Sequence, residues 1–273
     1  MRSPISVSEA PAVREIVYLS PPAAVNMADR WFEISALDHF WVRRRFEVLR
    51  RLAGNLISGA RELSEIGCGH GLLQRQIEKA YGRPVAGFDL NEFALKENQS
   101  RLSKICCYDV FQMDSVLRER FDLIFLFDVL EHIAEEDRFL RAILFHLAPG
   151  GRLVVNVPSG QWLYSAYDRA NGHERRYSAR SFRAAASRNN LKIANWSYWG
   201  LPLLPTLIVR KFWLMGKSDP NEIVASGFDS RHDVVNRLLG VVSRCEKIPQ
   251  TFMGTSLMAV LQPVKSAKGQ DRG

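Results

Sequence analysis

Between residues 61 and 158 the chain alternates short apolar segments with amphipathic ones, and this constrains the fold more than any other feature. Segments 62–66, 84–89, 105–110, 121–128 and 152–157 read as strands, and 72–80, 93–101 and 135–147 as helices. Segment 121–128, FDLIFLFD, is almost wholly apolar, as expected of a central parallel strand buried on both faces. Alternation of this kind implies right-handed crossovers and an open sheet with helices on both sides. Pro149-Gly150-Gly151 is expected to end the third helix.

The flanks are less regular. Residues 1–27 read as a loosely held arm. Residues 28–56 follow helical periodicity through Trp31, Ile34, Leu37, Phe40, Trp41, Phe46, Leu49 and Leu52, with Arg43 to Arg45 between them. They predict a covering helix or two, with a lid role at the turn around His39. Later segments predict a helix over 181–189, a strand over 193–199, a helix over 231–245 and a last strand over 255–262, TSLMAVLQ. The apolar stretch 201–215 is broken by Pro202 and Pro205, and is too short to span a bilayer. It is expected to wall a pocket; the other reading dips it into a membrane surface beside Arg210 and Lys211. The resulting organisation is an arm (1–27), one domain (28–263) and a disordered basic tail (264–273). Within the domain, 28–58 form a helical cap, 61–158 a ligand-binding core and 159–254 a substrate-side region.

Composition narrows the class. Apolar residues make up 47%, enough for a full core. A net charge of +8 favours anionic partners without choosing among them. Cys68, Cys106, Cys107 and Cys245 fit neither a zinc site nor a disulfide framework, and read as reduced, which suits the cytoplasm. Cys106 and Cys107, adjacent on a strand, are expected to face opposite sides of the sheet. The N-terminus lacks the apolar core of a secretory signal.

The first strand runs into Glu65-Ile66-Gly67-Cys68-Gly69-His70-Gly71. Glycines let the backbone turn sharply and approach a ligand, and the next helix presents its N-terminus there. A dinucleotide fingerprint requires G-x-G-x-x-G. Here the spacing is G-x-G-x-G, and Glu65 would repel a pyrophosphate while suiting a ligand with a positive amine. Asp89 ends the second strand and can accept from ribose hydroxyls; Asp109 closes the third and can accept from an adenine amino group.

Glu65 to Gly71, Asp89, Asp109, FDLIFLFDVLEHI and APGGRLVVNVP, in this order, resemble the motifs of class I S-adenosylmethionine-dependent methyltransferases. The resemblance covers 61–158 closely and the rest loosely. It implies a doubly wound, mostly parallel seven-stranded α/β sheet with an N-terminal helical lid, a C-terminal helical insertion and a last strand inserted antiparallel. It implies S-adenosylmethionine as cofactor, held by Glu65, Gly67, Cys68, Gly69, Gly71, Asp89, Leu90, Asp109, Val110 and Asp128. The glycine loop would take the methionine part.

Methyl transfer needs alignment of acceptor and methyl, and for a hydroxyl or amine acceptor also a base. Two constellations qualify. Asp128-Val129-Leu130-Glu131-His132 offers His132 as base; it resembles a metal-binding arrangement of quinone-biosynthesis O-methyltransferases, with Asp128 in place of their Glu, but is expected to line the cofactor pocket without metal. Asp168 to Tyr177, DRANGHERRY, offers His173 as the better base, with Arg175, Arg176 and Tyr177 as substrate-binding residues and the arginines as an anion clamp. Ser178 is expected to cap the next helix. The G-H-x-R-R-Y pattern and Asp38-His39-Phe40-Trp41 resemble a subgroup acting on small-molecule, glycan or lipid-linked acceptors, and place His39 at the substrate. The reading is O-methylation of such an acceptor, with peripheral membrane contact left open. A nucleic-acid methyltransferase is the alternative, disfavoured by the lack of basic stretches interleaved with aromatics and of an Asn/Asp-Pro-Pro-aromatic signature. A non-catalytic cofactor-binding scaffold is the third.

Overall fold

A computed structural model describes residues 15–23, 37–217, 219, 222–223 and 233–264. Among the described residues there are sixteen principal elements. They are β1 (Ile16–Tyr18), α1 (Phe40–Gly59), β2 (Leu63–Ile66), α2 (Leu72–Tyr81), β3 (Ala86–Asp89), α3 (Glu92–Lys96), β4 (Ile105–Cys107), β5 (Phe121–Phe127), α4 (Glu136–His146), β6 (Leu147–Pro158), α5 (Ala166–Ala170), α6 (Ala179–Arg188), β7 (Leu191–Trp199), α7 (Leu204–Trp213), α8 (Asp233–Val242) and β8 (Ser256–Pro263).

All strands join one sheet in the order β1-β4-β3-β2-β5-β6-β8-β7. The pairs are parallel except those of β8, which runs antiparallel between β6 and β7. The late strand TSLMAVLQ thus inserts as expected. The sheet has eight strands rather than seven. Ile16–Tyr18, expected within the loose arm, pairs with Ile105–Cys107 and extends the sheet edge.

Burial follows the pleat. Leu123, Phe125 and Phe127 of β5 pack with α1 and α2, while Ile124 and Leu126 pack with α4 and α6 on the opposite face. Cys106 and Cys107 likewise enter different clusters. Each buried Leu, Ile or Phe of β5 contributes about 1.5–3 kcal/mol of apolar burial.

Several boundaries differ from the sequence reading. α3 stops after five residues, at Lys96, and Asn91 caps it by accepting from Ala94 N. Pro149-Gly150-Gly151 does not follow a helix terminus as a free turn. β6 begins at Leu147, and the triplet is accommodated by a register shift between Phe121 and Leu123. α1 begins at Phe40; Trp31 and Ile34 lie outside the described residues, as do Arg231 and nearly all of the tail. Ser178 caps α6 through Ser181 N, as expected.

The connections run outward from the middle. β2, β3 and β4 step toward one edge, whereas β5 and β6 step toward the other. The reversal opens a crevice at the carboxyl ends of β2 and β5, where open α/β sheets bind ligands.

Candidate active site

The crevice is built from the ends of four strands. β2 ends at Ile66, and the chain turns through Gly67, Gly69 and Gly71, all with positive φ. Gly67 tolerates no side chain: a Cβ would meet Val129 Cγ2 at 2.3 Å. Gly67 N and Cys68 N donate to Phe88 O, at 2.8 and 3.1 Å, so the loop is pinned to β3. Asp89 tightens this further. Its Oδ2 accepts from Gly69 N at 2.8 Å and its Oδ1 from Asn91 N at 2.9 Å. An ionised carboxylate has about four acceptor positions, so Asp89 retains capacity for a ligand's hydroxyls.

Glu65 is buried, and its Oε2 has no hydrogen-bond partner among the described residues. Burial, with smaller contributions from Asp89 and Asp128, pushes its carboxyl up to about 8; Arg45 opposes this. A buried unpartnered carboxyl beside a glycine loop fits a ligand with a cationic amine. The residues expected to hold the cofactor therefore suit S-adenosylmethionine. Leu90, Val110 and Asp109 follow the tips of β3 and β4. Asp109 Oδ1 accepts from Phe111 N, and its own N donates to Ser20 Oγ just beyond β1.

Asp128 follows β5 with φ +58, unusual for a residue with a Cβ. Its Oδ1 accepts from Asn156 Nδ2 at 2.7 Å, and Trp199 Nε1 donates to Asn156 Oδ1 at 2.9 Å. Its Oδ2 pairs with Arg45 Nη1 of α1. The Arg45 guanidinium lies over the rings of Trp41 and Phe127, 4.9 and 5.1 Å from their centroids. The helix expected to cover the site is thus tied to it by a half-buried ion pair. Sequence reasoning noted Arg45 without a partner, and missed Asn156 and Trp199.

The loop after β6 carries the second constellation. Asp168 is completely buried in α5. Its Oδ2 accepts from Ser165 N and Oγ, and its Oδ1 accepts from Arg176 Nε at 2.7 Å and lies 3.1 Å from His173 Nδ1. Hydrogen bonds from His173 and Arg176, with their charge, outweigh burial and hold this carboxyl well below the usual range. It is therefore ionised and can only accept, so His173 Nδ1 carries the proton on this contact, and in the neutral ring Nε2 is the acceptor. The sequence reading included Asp168 but gave it no role; its spacing to His173 and Arg176 was the available signal.

The arginines face inward. Arg176 is buried on Asp168 and on Ser159 O. Arg175 donates to Ile133 O, Ala134 O and Glu136. Tyr177 is buried, its hydroxyl 3.4 Å from both Leu130 O and Glu136. The donors expected to clamp an acceptor are engaged with the protein. His39 caps α1 by accepting from Trp41 N and packs on Phe40.

The two constellations meet. The rings of His132 and His173 are 4.7 Å apart, edge to face. Glu131, His132 and His173 each present a ligand-type atom, all within 4.8 Å of one another. Glu131 is buried, its Oε2 lacks a partner among the described residues, and burial and Asp128 push its carboxyl up. Burial and the neighbouring His173 push His132 down to about 3, so it is neutral near pH 7. The set can hold a divalent cation; the sequence offers Asp128, Glu131 and His132 for a metal and favours none there, and His173 joins Glu131 and His132 only through the fold.

A switch-point crevice with a glycine loop, acids at successive strand tips and an antiparallel last strand defines a nucleotide-binding α/β enzyme of the methyltransferase type. A family model described as "Methyltransferase domain" matches residues 37–195, and the chain belongs to the class I S-adenosylmethionine-dependent methyltransferases. It is 36% identical over 114 residues to a ubiquinone biosynthesis O-methyltransferase of Rhodopseudomonas palustris, covering 40% of this chain and 43% of that protein. It is 27% identical over 141 residues to a probable S-adenosylmethionine-dependent methyltransferase of Mycobacterium tuberculosis, covering 51% and 50%. The chain thus spans about half or less of these curated relatives. A methyltransferase from Archaeoglobus fulgidus shares the fold at a TM-score of 0.50, with 16% identity over 80% of this chain and 93% of that one. The cyclase SpnF shares it at 0.51, with 16% identity over 93% and 89%.

Proposed function

We propose that the chain transfers a methyl group from S-adenosylmethionine to an oxygen of a small-molecule, glycan or lipid-linked acceptor, with His173 removing the acceptor proton. The observation that carries this reading is the saturation of Asp168. Its four accepted hydrogen bonds fix the His173 ring and tautomer, and Nε2 is left to act. His132 is the weaker base: an imidazole lowered to about 3 has little affinity for a proton near pH 7. The sulfonium cofactor supplies an activated methyl group and a neutral leaving group. Glu65, Asp89 and the glycine loop hold it in register, and Arg45 keeps α1 closed over Asp128. Arg175, Arg176 and Tyr177 support the loop rather than grip the acceptor. Oxygen as the accepting atom is supported by the names of the ubiquinone-biosynthesis relatives.

Methyl-labelled cofactor supplied to a lysate tests the substrate class. Label is expected in the small-molecule or lipid pool in a His173-dependent way. Label confined to nucleic acid overturns the reading.

The cluster of Glu131, His132 and His173 favours a second reading. A divalent cation held there would polarise the acceptor oxygen, and Asp168 would then orient a metal-ligating histidine.

A further inference from the structure

The helix α7 has two unlike faces. Toward the protein, Leu204 and the following Leu214 are buried, and the Arg210 guanidinium lies 3.9 Å from the centroid of Tyr167. Tyr167 directly precedes Asp168, the residue that orients His173. Away from the protein, Val209, Phe212 and Trp213 follow at helical spacing, with Met215 just beyond; each is more than half exposed. Trp162 adds to this surface, equally exposed and joined to the helix by Lys211 Nζ, which donates to its carbonyl.

Single exposed apolar residues are ordinary, but two tryptophans, a phenylalanine and two aliphatic side chains on one surface mark an interface. The charges select its partner. Arg210 and Lys211 are the charged residues of α7, both cationic; Arg210 is turned onto Tyr167, which leaves Lys211 beside the apolar face, and Lys217, whose Nζ lies 4.4 Å over the Trp213 ring, is paired with Glu222. The whole chain carries +8. Tryptophan beside lysine, on a helix too short to span, is the chemistry of the headgroup boundary of an acidic membrane. No helix among the described residues is long and apolar enough to cross one.

We propose that the outward face of α7, with Trp162, docks on the surface of an anionic lipid bilayer. The tryptophan and phenylalanine rings enter the headgroup boundary while Lys211 remains at the phosphates. Docking places α5, and with it the His173 loop, next to the bilayer. An amphipathic acceptor could then reach the site from the lipid; that consequence rests on the methyl-transfer reading, whereas docking does not.

The test is co-sedimentation of the full chain with vesicles of phosphatidylcholine alone, or with about a third phosphatidylglycerol. Binding is expected to the acidic vesicles only, weakening with salt. Brominated lipid is expected to quench tryptophan fluorescence. A double variant, Phe212→Ser with Trp213→Ser, is expected to lose at least ~10-fold in vesicle affinity, and Lys211→Glu to lose the preference for acidic lipid. Circular dichroism and S-adenosylhomocysteine binding at wild-type levels would show that both variants fold. Wild-type protein that ignores acidic vesicles, or a double variant that binds them equally, overturns the proposal. So does wild-type dimerisation abolished in the double variant, which would assign this face to a second copy. Cofactor binding and labelled-methyl transfer are read separately, so failure of docking does not masquerade as failure of the enzymatic reading.

Discussion

His173 points Nδ1 at Oδ1 of Asp168 across 3.1 Å, and the same oxygen accepts from Arg176. A histidine oriented by a buried carboxylate is a base with one available nitrogen. His173→Ala is therefore expected to lower methyl transfer by about 10²–10⁴-fold with little change in S-adenosylhomocysteine affinity. Asp168→Asn is expected to disturb the tautomer and shift the pH profile of transfer. Wild-type turnover in the His173 variant would move the base elsewhere.

Arg176→Ala is expected to act on stability. Its side chain is 4% exposed and its partner's 0%, so truncation strands a buried charge. Such a loss costs about 3–5 kcal/mol, read from the urea midpoint. A stable variant with only a raised acceptor KM would restore the anion clamp that the sequence suggested.

Glu65 predicts a pH dependence. In the ligand-free protein its carboxyl titrates at about 8, so below that pH it is mostly neutral. Pairing with an ammonium needs the carboxylate. Affinity for the cofactor should rise with pH toward about 8, and binding should release a proton, visible by calorimetry in buffers of different ionisation enthalpy. Stability of the free protein runs the other way. The folded value lies above the unfolded ~4.3, so the native state binds more protons between the two, and stability falls as pH rises through that window. Glu65→Gln should flatten both profiles. A flat wild-type affinity profile would assign the amine to another group.

Asp89→Ala is expected to weaken S-adenosylhomocysteine by at least ~10-fold. It removes the ribose acceptors and releases Gly69 N and Asn91 N. Undiminished affinity would displace the cofactor site from the tips of β2 and β3.

Exhaustive chelation is expected to leave transfer unchanged under the general-base reading. Loss of activity restored by magnesium or zinc, and abolished by Glu131→Gln, would establish the metal reading.

The convergence of the glycine loop and the acids at the strand ends was legible because its signals are local. The glycine loop, Asp89 and the apolar strand 121–128 have roles set by strand-end position, and a parallel sheet gathers such ends. The extra edge strand Ile16–Tyr18 was not legible. Three residues without strong alternation become a strand only because β4 offers unpaired edge groups.

Sequence alone determined the alternating architecture, the switch-point crevice and the acids that line it, because pleat and helix periodicity act over a few residues. Tertiary structure decided the rest. It set Arg45 on Asp128 across 83 positions, brought His132 to His173, and turned Arg175 and Arg176 inward. A guanidinium looks the same in sequence whether it awaits a ligand or completes a buried ion pair. The difference lies in burial and in the partner's position, and both exist only once the chain has folded.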